Sequence, residues 1–534
     1  DLEIYVNQFY PSLRSIGIMG NIWHGSYSMD NNSDYSIPTV PNSRMQGERT
    51  IPASASQNGW NFSPIRSLNY FLTNYQTVED PWDITKQFVG EAHFFKAFYY
   101  FDLLRRFGDV PWLSEPLETD SEELFMERTP RSAVADSIIA NLDKAIDYLS
   151  WRDVTPQSRI NKESALIFKS RVCLFEGTWE KYHDGTPFGV SNANPDKYLT
   201  LAADAANMLM ESGKCDIFNT GNPEADYASL FTQNNYGSHS EVVLWESYDF
   251  DLGIAHRLPS REGLDMGLAR SFIDSYLCTD GLPIANSPLY LGDDNLTNVV
   301  ANRDLRLRQS IWVPGEGLTI LSNGDTIFFT KPDIDKTTSR NTTGYQLKKG
   351  FYLEMGADEI QDSETGNVML RYAEALLNYA EAKAELGSIT QEDIDKTVNK
   401  LRSRAGMPNL QLNNIAVDPN WQFPALSPVI NEIRRERGIE LIIEGHRLND
   451  LLRWRAHDVF VGKYPKGAKF IQSDFPDMVI GVNIFVDENG YIDPYQKALT
   501  AGFGFKSNRD YLDPIPAAEL TLSEKLVQNP GWGN

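Results

Sequence analysis

Glu436, Glu440 and Glu444 recur at intervals of four in IRRERGIELIIEGHRLNDLLRW, residues 433–454, so on a helix their carboxylates fall along one side. Grouped carboxylates are the raw material of glycoside hydrolysis, which needs only two of them: a protonated acid and an ionised partner flanking one bond. The acid needs a raised pKa, from burial without a cation or from a second carboxylate. Here the acids alternate with bases. Arg437 precedes Glu440 by three, Arg447 follows Glu444 by three, and Asp450 lies three from both Arg447 and Arg453. Each acid thus has a guanidinium within side-chain reach, and guanidinium groups push carboxylate pKa values down. The spacing favours ion pairs within and between helices over catalysis. Gly438 and Gly445 suit that frame, one by permitting close packing and the other by turning the chain.

Other catalytic signals are missing. The seven His are scattered and form no HExxH; there is no G-x-S-x-G elbow, no P-loop and no G-x-G-x-x-G opening a helix after a strand. His93 falls within an amphipathic pattern and reads as a packed residue. Cys173, Cys215 and Cys278 lie far apart without a CxxC pair, so no zinc or redox motif, no cofactor and no metal site is expected. Asp293 and Asp294 in LGDDN leave calcium open. With 73 acids in the chain, a carboxylate pair in some cleft also stays open.

Binding chemistry is better represented. In NIWHGSYSMDNNSDYSIP, residues 21–38, Trp23, Tyr27 and Tyr35 alternate with Asp30, Asn31, Asn32 and Asp34. Flat rings beside short polar side chains suit a neutral polyhydroxylated ligand, whose CH faces stack and whose hydroxyls are hydrogen-bonded. The competing reading is an ordinary packed loop. Trp60, Trp82 and Trp245 are weaker candidates, because each adjoins a helix or strand. The expected ligand-binding set is Trp23, Tyr27, Asp30, Asn32, Asp34, Tyr35, Trp60, Trp82, Tyr248 and Arg257.

These residues must be positioned by a chain of 534 residues, too long for one simple core. It is 41% hydrophobic and 23% charged, a composition that folds. Its net charge of −24 repels phosphates and anionic head groups, which excludes nucleic-acid and direct lipid binding. No apolar run reaches the length of a membrane span.

Helical patterning is strong in four places. A first pair covers 64–75 and 84–108; in the second member Phe88, Ala92, Phe95, Tyr99 and Leu103 make an apolar stripe, closed by Gly108 and Pro111. A second pair covers 132–149 and 162–179, followed by a helix over 199–212. A third covers 368–387, with small residues Ala373, Ala380 and Ala384 on one side, and 390–406, with Thr390 as N-cap and Asp393 in its first turn. The fourth is the acid-rich stretch, helix–Gly445–helix. Such pairs resemble tetratricopeptide repeats, with a loose period. The expected fold is mostly α, tetratricopeptide-like helix pairs with a large loop-rich region containing short strands. The expected segments are an N-terminal loop segment over 1–60, a first helical half over 61–212, a loop-rich ligand-binding insertion over 213–367, a second helical half over 368–456 and an irregular segment over 457–534.

EAHFFKAFYYFDLLRRFGDVPW, LRYAEALLNYAEAKAELG, the acid-rich stretch and YLDPIPAAELTLSEKLVQNPGW occur in that order, and FIDSYLCTDGLPI, NRDLRLR and TTGYQLKKG agree with them. Together they closely resemble the SusD/RagB family of outer-membrane nutrient-binding lipoproteins, over nearly the whole chain. The resemblance implies a SusD-like fold, a lipid anchor on an N-terminal Cys preceding this chain, and exposure on the cell exterior. It implies a SusC-like TonB-dependent transporter as partner, an oligosaccharide or less often a peptide as ligand, and no catalysis. Family ligand residues sit in variable loops, so none carries over to a position here. Two readings compete with an oligosaccharide-capturing lipoprotein: a helical-toroid glycosidase using paired carboxylates, and a tetratricopeptide-type scaffold for peptides.

Overall fold

The computed structural model describes residues 1–13, 28–118, 121–156, 158–256, 264–321, 323–351, 353 and 363–533. The principal helices are α1 (Ser63–Asn74), α2 (Trp82–Phe107), α3 (Arg131–Tyr148), α4 (Lys162–Tyr182), α5 (Pro195–Glu211), α6 (Arg270–Ser275), α7 (Tyr372–Glu385), α8 (Gln391–Lys396), α9 (Val398–Arg404), α10 (Pro428–Glu440) and α11 (Arg447–Arg453). Helix dominates, with 40% of the chain helical and 8% in strands.

Sequential packing of α1 on α2, α2 on α3, α3 on α4 and α4 on α5 builds a helical array. Helix α7 then packs on both α5 and α4, and α10 packs on α7, so the two helical halves join directly although the insertion separates them in sequence. One apolar core runs through both halves, from Val6 to Ile515. The stripe expected on α2 is only part of what that helix buries. Ala92, Phe95 and Leu103 are enclosed, but so are Val89, Phe94, Ala97, Phe101 and Leu104 on its other sides. Its polar residues are enclosed as well and find partners. Glu91 accepts from Arg159 (2.7 Å) and Tyr10 (2.8 Å), and His93 Nδ1 meets Asn141 at 2.8 Å. Burial holds His93 down at about 4, so it is a neutral packed ring.

Among the described residues, six short strands form three antiparallel pairs. Strands β1 (Ser36–Pro38) and β3 (Met266–Leu268) pair; β2 (Val242–Glu246) pairs with β6 (Asn367–Arg371); β4 (Gly317–Ile320) pairs with β5 (Thr326–Phe328). The chain leaves the helical array through β2 and returns through β6. Residues 368–371, expected as the start of a helix, are therefore strand: Val368 faces Trp245 across the ladder and Arg371 faces Val242. A second core collects the insertion's apolar residues with Tyr35, Ile439, Ile442 and Ile443. The helix expected over 390–406 is split at Thr397 into α8 and α9, and its start is as expected: Thr390 and Asp393 close a reciprocal capping box.

The acid-rich stretch is structural. Glu440 is wholly buried and takes Arg404 at 2.5 Å, Arg371 at 2.7 Å and Arg306 at 2.9 Å. Glu444 takes Arg371 and Lys349, both at 2.7 Å, and Glu436 takes Arg306 at 2.5 Å. Asp450 receives Arg437 and Arg453, each at 2.8 Å. Of the pairs suggested by spacing, Asp450 with Arg453 forms; Glu440 does not meet Arg437, nor does Arg447 meet Glu444. The helices are enclosed on several sides, so their acids look outward at arginines brought from β6, α9 and residue 306 rather than along their own surface. Gly438 does allow close approach, since a Cβ there would lie 3.1 Å from the Tyr35 ring.

Candidate functional site

A cleft of about 340 Å³ opens between α6, the start of α10 and the connection before α10, with Tyr35 at its edge. Asp418, Asn420, Trp421, Gln422 and Phe423 form one wall; Arg270, Ser271, Asp274 and Ser275 form the other. The wall is fixed from behind. Asn431 of α10 donates to the carbonyls of Phe423 (2.8 Å) and Ser427 (3.2 Å), which folds 423–427 back on the helix. Arg435 binds Asp418 at 2.6 Å and donates to the Ser275 carbonyl at 3.1 Å, tying the two walls together. Arg434 lies 4.4 Å from the Phe423 ring centre and 4.1 Å from that of Trp454.

Loop 28–36 positions the edge. Asp34 grips Arg447 with both oxygens, at 2.7 and 2.8 Å, and that guanidinium lies 3.8 Å from the Tyr35 ring centre. Arg447 also donates to Gln422 Oε1 at 3.0 Å, and the Tyr35 hydroxyl donates to the same oxygen at 3.4 Å. Burial raises Asp274 to about 6 against the pull of Arg270 and Arg303, so this carboxyl exchanges its proton near neutrality. The cleft therefore offers half-buried rings, carboxamides, hydroxyls, and guanidiniums that are already paired. That set is chemically suited to hydroxyl-rich neutral molecules, through stacking and hydrogen bonds.

The residues expected from sequence are dispersed. Trp23, Tyr27 and Arg257 lie outside the described residues. Tyr35 reaches the cleft, and Asp34 supports it through Arg447. Asp30 is buried; burial lifts its carboxyl to about 6 although the amides of Ile443, Arg447 and Gly445 turn toward it. Asn32 lines a separate polar cavity. Trp60 is a core residue, edge-on to Phe107 at 5.0 Å and 5% exposed, so its ring is spent on packing. Tyr248 is enclosed, edge-on to His256 at 4.4 Å with its hydroxyl on Glu246. Trp245 packs against Tyr236 and Gly366. Trp82 is 45% exposed at the first turn of α2, against Tyr148, and does not line the cleft. Asp293 and Asp294 meet Arg270 (3.0 Å) and Lys469 (2.5 Å), cations rather than a set of oxygen ligands. The wall residues from Asp418 to Phe423 were not anticipated, because 407–426 reads as a spacer between helix pairs. The signal was present in DPNWQF, where a ring again sits among Asp, Asn and Gln.

Comparison with known proteins decides the family. A profile of the SusD family matches residues 219–532, and a profile described as starch-binding and associating with the outer membrane matches residues 1–174. The chain belongs to the SusD family. Among curated SusD-like relatives, protein P2 of Formosa agariphila is 24% identical across 88% of this chain and 79% of its own. A solved SusD-like carbohydrate-binding protein of Bacteroides fragilis superposes with a TM-score of 0.75 over 98% of both chains at 24% identity. A solved laminarin-binding SusD-like protein gives 0.54 over 99% of this chain and 98% of its own, at 18% identity. At these identities the solved structures establish that the SusD fold is shared.

Proposed function

We propose that this SusD-family chain captures an oligosaccharide at the outer surface of the outer membrane, held there by a lipid anchor, and passes it to a SusC-like TonB-dependent transporter without cutting it. The observation that carries the reading is the cleft wall: Trp421 and Phe423 present half-buried ring surface beside Asn420 and Gln422, the buried Tyr35 contributes its hydroxyl through Gln422, and Arg435 is neutralised by Asp418. The names of relatives that bind carbohydrate, one of them laminarin, support a glycan ligand. The family description supports the location.

A glycan array followed by calorimetric titration of the best neutral hit tests the binding. Trp421→Ala should weaken that hit about tenfold, a loss of about 1.4 kcal/mol. Its melting temperature should hardly move, since the ring is half-buried and its one hydrogen bond, to Glu432, is long at 3.4 Å. No hit on the array, or full affinity in the variant, would sink the assignment to this cleft.

A glycosidase is the second reading, favoured by one observation. Asp274 is held at about 6 in the cleft that Asp418 also lines, so two carboxyl groups share it. Asp418 is committed to Arg435 at 2.6 Å, which leaves it poorly placed as a nucleophile or base. Incubation of the protein with the array hit should release no reducing ends. Release that disappears in Asp274→Asn would replace capture by hydrolysis.

A further inference from the structure

A second cavity, about 590 Å³, lies on the other side of loop 28–36, between the C-terminal end of α2, α11, residues 42–58 and residues 513–514. Its chemistry differs from that of the cleft. Arg44, Arg49, Arg105 and Arg106 all line it. Three of them share one carboxylate: Asp513 receives Arg44, Arg49 (2.5 Å) and Arg106 (2.9 Å). Arg49 also reaches Asp510 at 3.1 Å, but that acid is simultaneously bound by Arg509 at 2.8 Å. Arg105 is paired with Asp102, which lies 3.6 Å from Arg106 as well. Five guanidiniums thus divide three carboxylates, Asp102, Asp510 and Asp513, of which Asp513 lines the cavity together with the exposed Glu48. Burial and the neighbouring Arg49 hold Arg44 down at about 10 in spite of Asp513, whereas Asp513 and Asp102 raise Arg106 against its burial. Among the lining residues, Arg49 Nε, Asn32 Oδ1 and Asn58 Oδ1 lack hydrogen-bond partners. A surplus of enclosed cations is costly unless an anion completes it. It stands out in a chain whose net charge is −24.

We propose that this cavity is a second sugar subsite, selective for a residue bearing an oxyanion, a uronate carboxylate or a sulfate ester, with Arg105, the most exposed guanidinium of the wall, as the anion contact. Its Nε and Nη2 hold Asp102 and its Nη1 holds Asn449 at 3.1 Å, so an oxyanion would be met by the remaining N–H donors of this partly exposed guanidinium. The inference rests on the reading of the protein as a glycan binder, and it adds that the preferred glycan carries charge. Because Asp34, two residues from Asn32, anchors Arg447 and through it Gln422, the same loop frames both the neutral cleft and the charged cavity.

Calorimetry of the full chain with tetragalacturonate, a neocarratetraose sulfate and laminaritetraose tests it. At least one anionic probe should bind ten times more tightly than laminaritetraose at low salt, and should lose most of that advantage in 0.5 M NaCl, where the screening length falls to a few ångströms (~4 Å). Binding of galacturonate alone, of the sulfate alone, or of both identifies which oxyanion is read. Arg105→Gln should lower the anionic affinity at least tenfold and Arg105→Lys should restore part of it, with laminaritetraose affinity unchanged. Arg105 is partly exposed, so both variants should fold, and their melting temperatures check this. Trp421→Ala should leave the anionic advantage intact. Equal affinity for charged and neutral probes, or an anionic advantage indifferent to Arg105, overturns the inference while leaving neutral capture standing. Failure of all three probes to bind overturns the inference, while neutral capture stands or falls on the glycan array.

Discussion

Glu440→Ala is expected to lower the stability of the protein by about 3–5 kcal/mol, the cost of removing one partner from a buried ion-pair cluster. The carboxylate is the hub of its cluster. Arg404 and Arg306 are oriented by it, and Arg371 divides itself among Glu440, Glu241 and Glu444. Burial alone would raise the Glu440 pKa, yet Arg404, Arg371 and Arg306 hold it well below the carboxylate range, which measures how strongly the ionised form is needed. The alanine leaves three enclosed guanidiniums with one acid fewer. Glu440→Gln keeps the volume and should still destabilise, because an amide cannot neutralise them. Denaturant titration reads the loss, and calorimetry on the folded fraction should find glycan affinity unchanged. A variant of wild-type stability, or one that folds normally but no longer binds, would mean the acid-rich stretch serves recognition after all.

That cluster also marks the boundary of what the sequence discloses. Interleaved Glu and Arg at intervals of three and four show that the acids are neutralised, and the chain does neutralise them. The identity of the partners is a tertiary fact: Arg306, Arg371 and Arg404 come from three separate segments, and no local spacing announces them. The same divide runs through the fold. Thr390 and Asp393 act within one turn, so their capping box is legible; Gly438 is legible as a close approach, though not that Tyr35 is what approaches. Residues 368–371 form an aliphatic run that fits a helix or a strand equally well, and only pairing with 242–246 selects the strand. For the site, composition pointed to rings among Asp and Asn, and this is the chemistry of the cleft. The pattern recurs in several places, and the structure treats its copies differently. Trp60 and Tyr248 are consumed by packing, whereas Trp421 lies in a connection that looked like a spacer. Which ring faces outward depends on what the remainder of the chain covers.

Acid should unfold the protein steeply below about pH 4.5, the ordinary value of its glutamates, and only weakly between pH 7 and there. In the upper range two sets of groups oppose each other. Burial keeps His93, His239 and His256 at about 4 and His183 at about 3, so the unfolded chain takes up their protons first and stability falls as pH drops below 6.5. Burial raises Asp30 and Asp274 to about 6, and burial with the nearby Glu176 raises Glu180 to about 7, so the folded protein takes up these protons first and stability rises over the same range. Below the ordinary carboxylate values nothing offsets the frame. Burial would raise Glu381, yet Arg453 and Arg437 hold it at about 2; Asp513 is likewise held at about 2 by Arg44, Arg106 and Arg49. Their stabilisation is complete above their unfolded pKa values and is lost as pH falls toward 2, at about 2–3 kcal/mol for each, with Glu440 adding to it. Thermal melts from pH 7.5 to 2.5 should show a plateau followed by a collapse. In Glu381→Gln, already destabilised at neutral pH, the difference from the parent should shrink as the pH is lowered through that window. A gradual decline starting at pH 7, or a difference independent of pH, would show that the buried acids are not what holds the helical frame together.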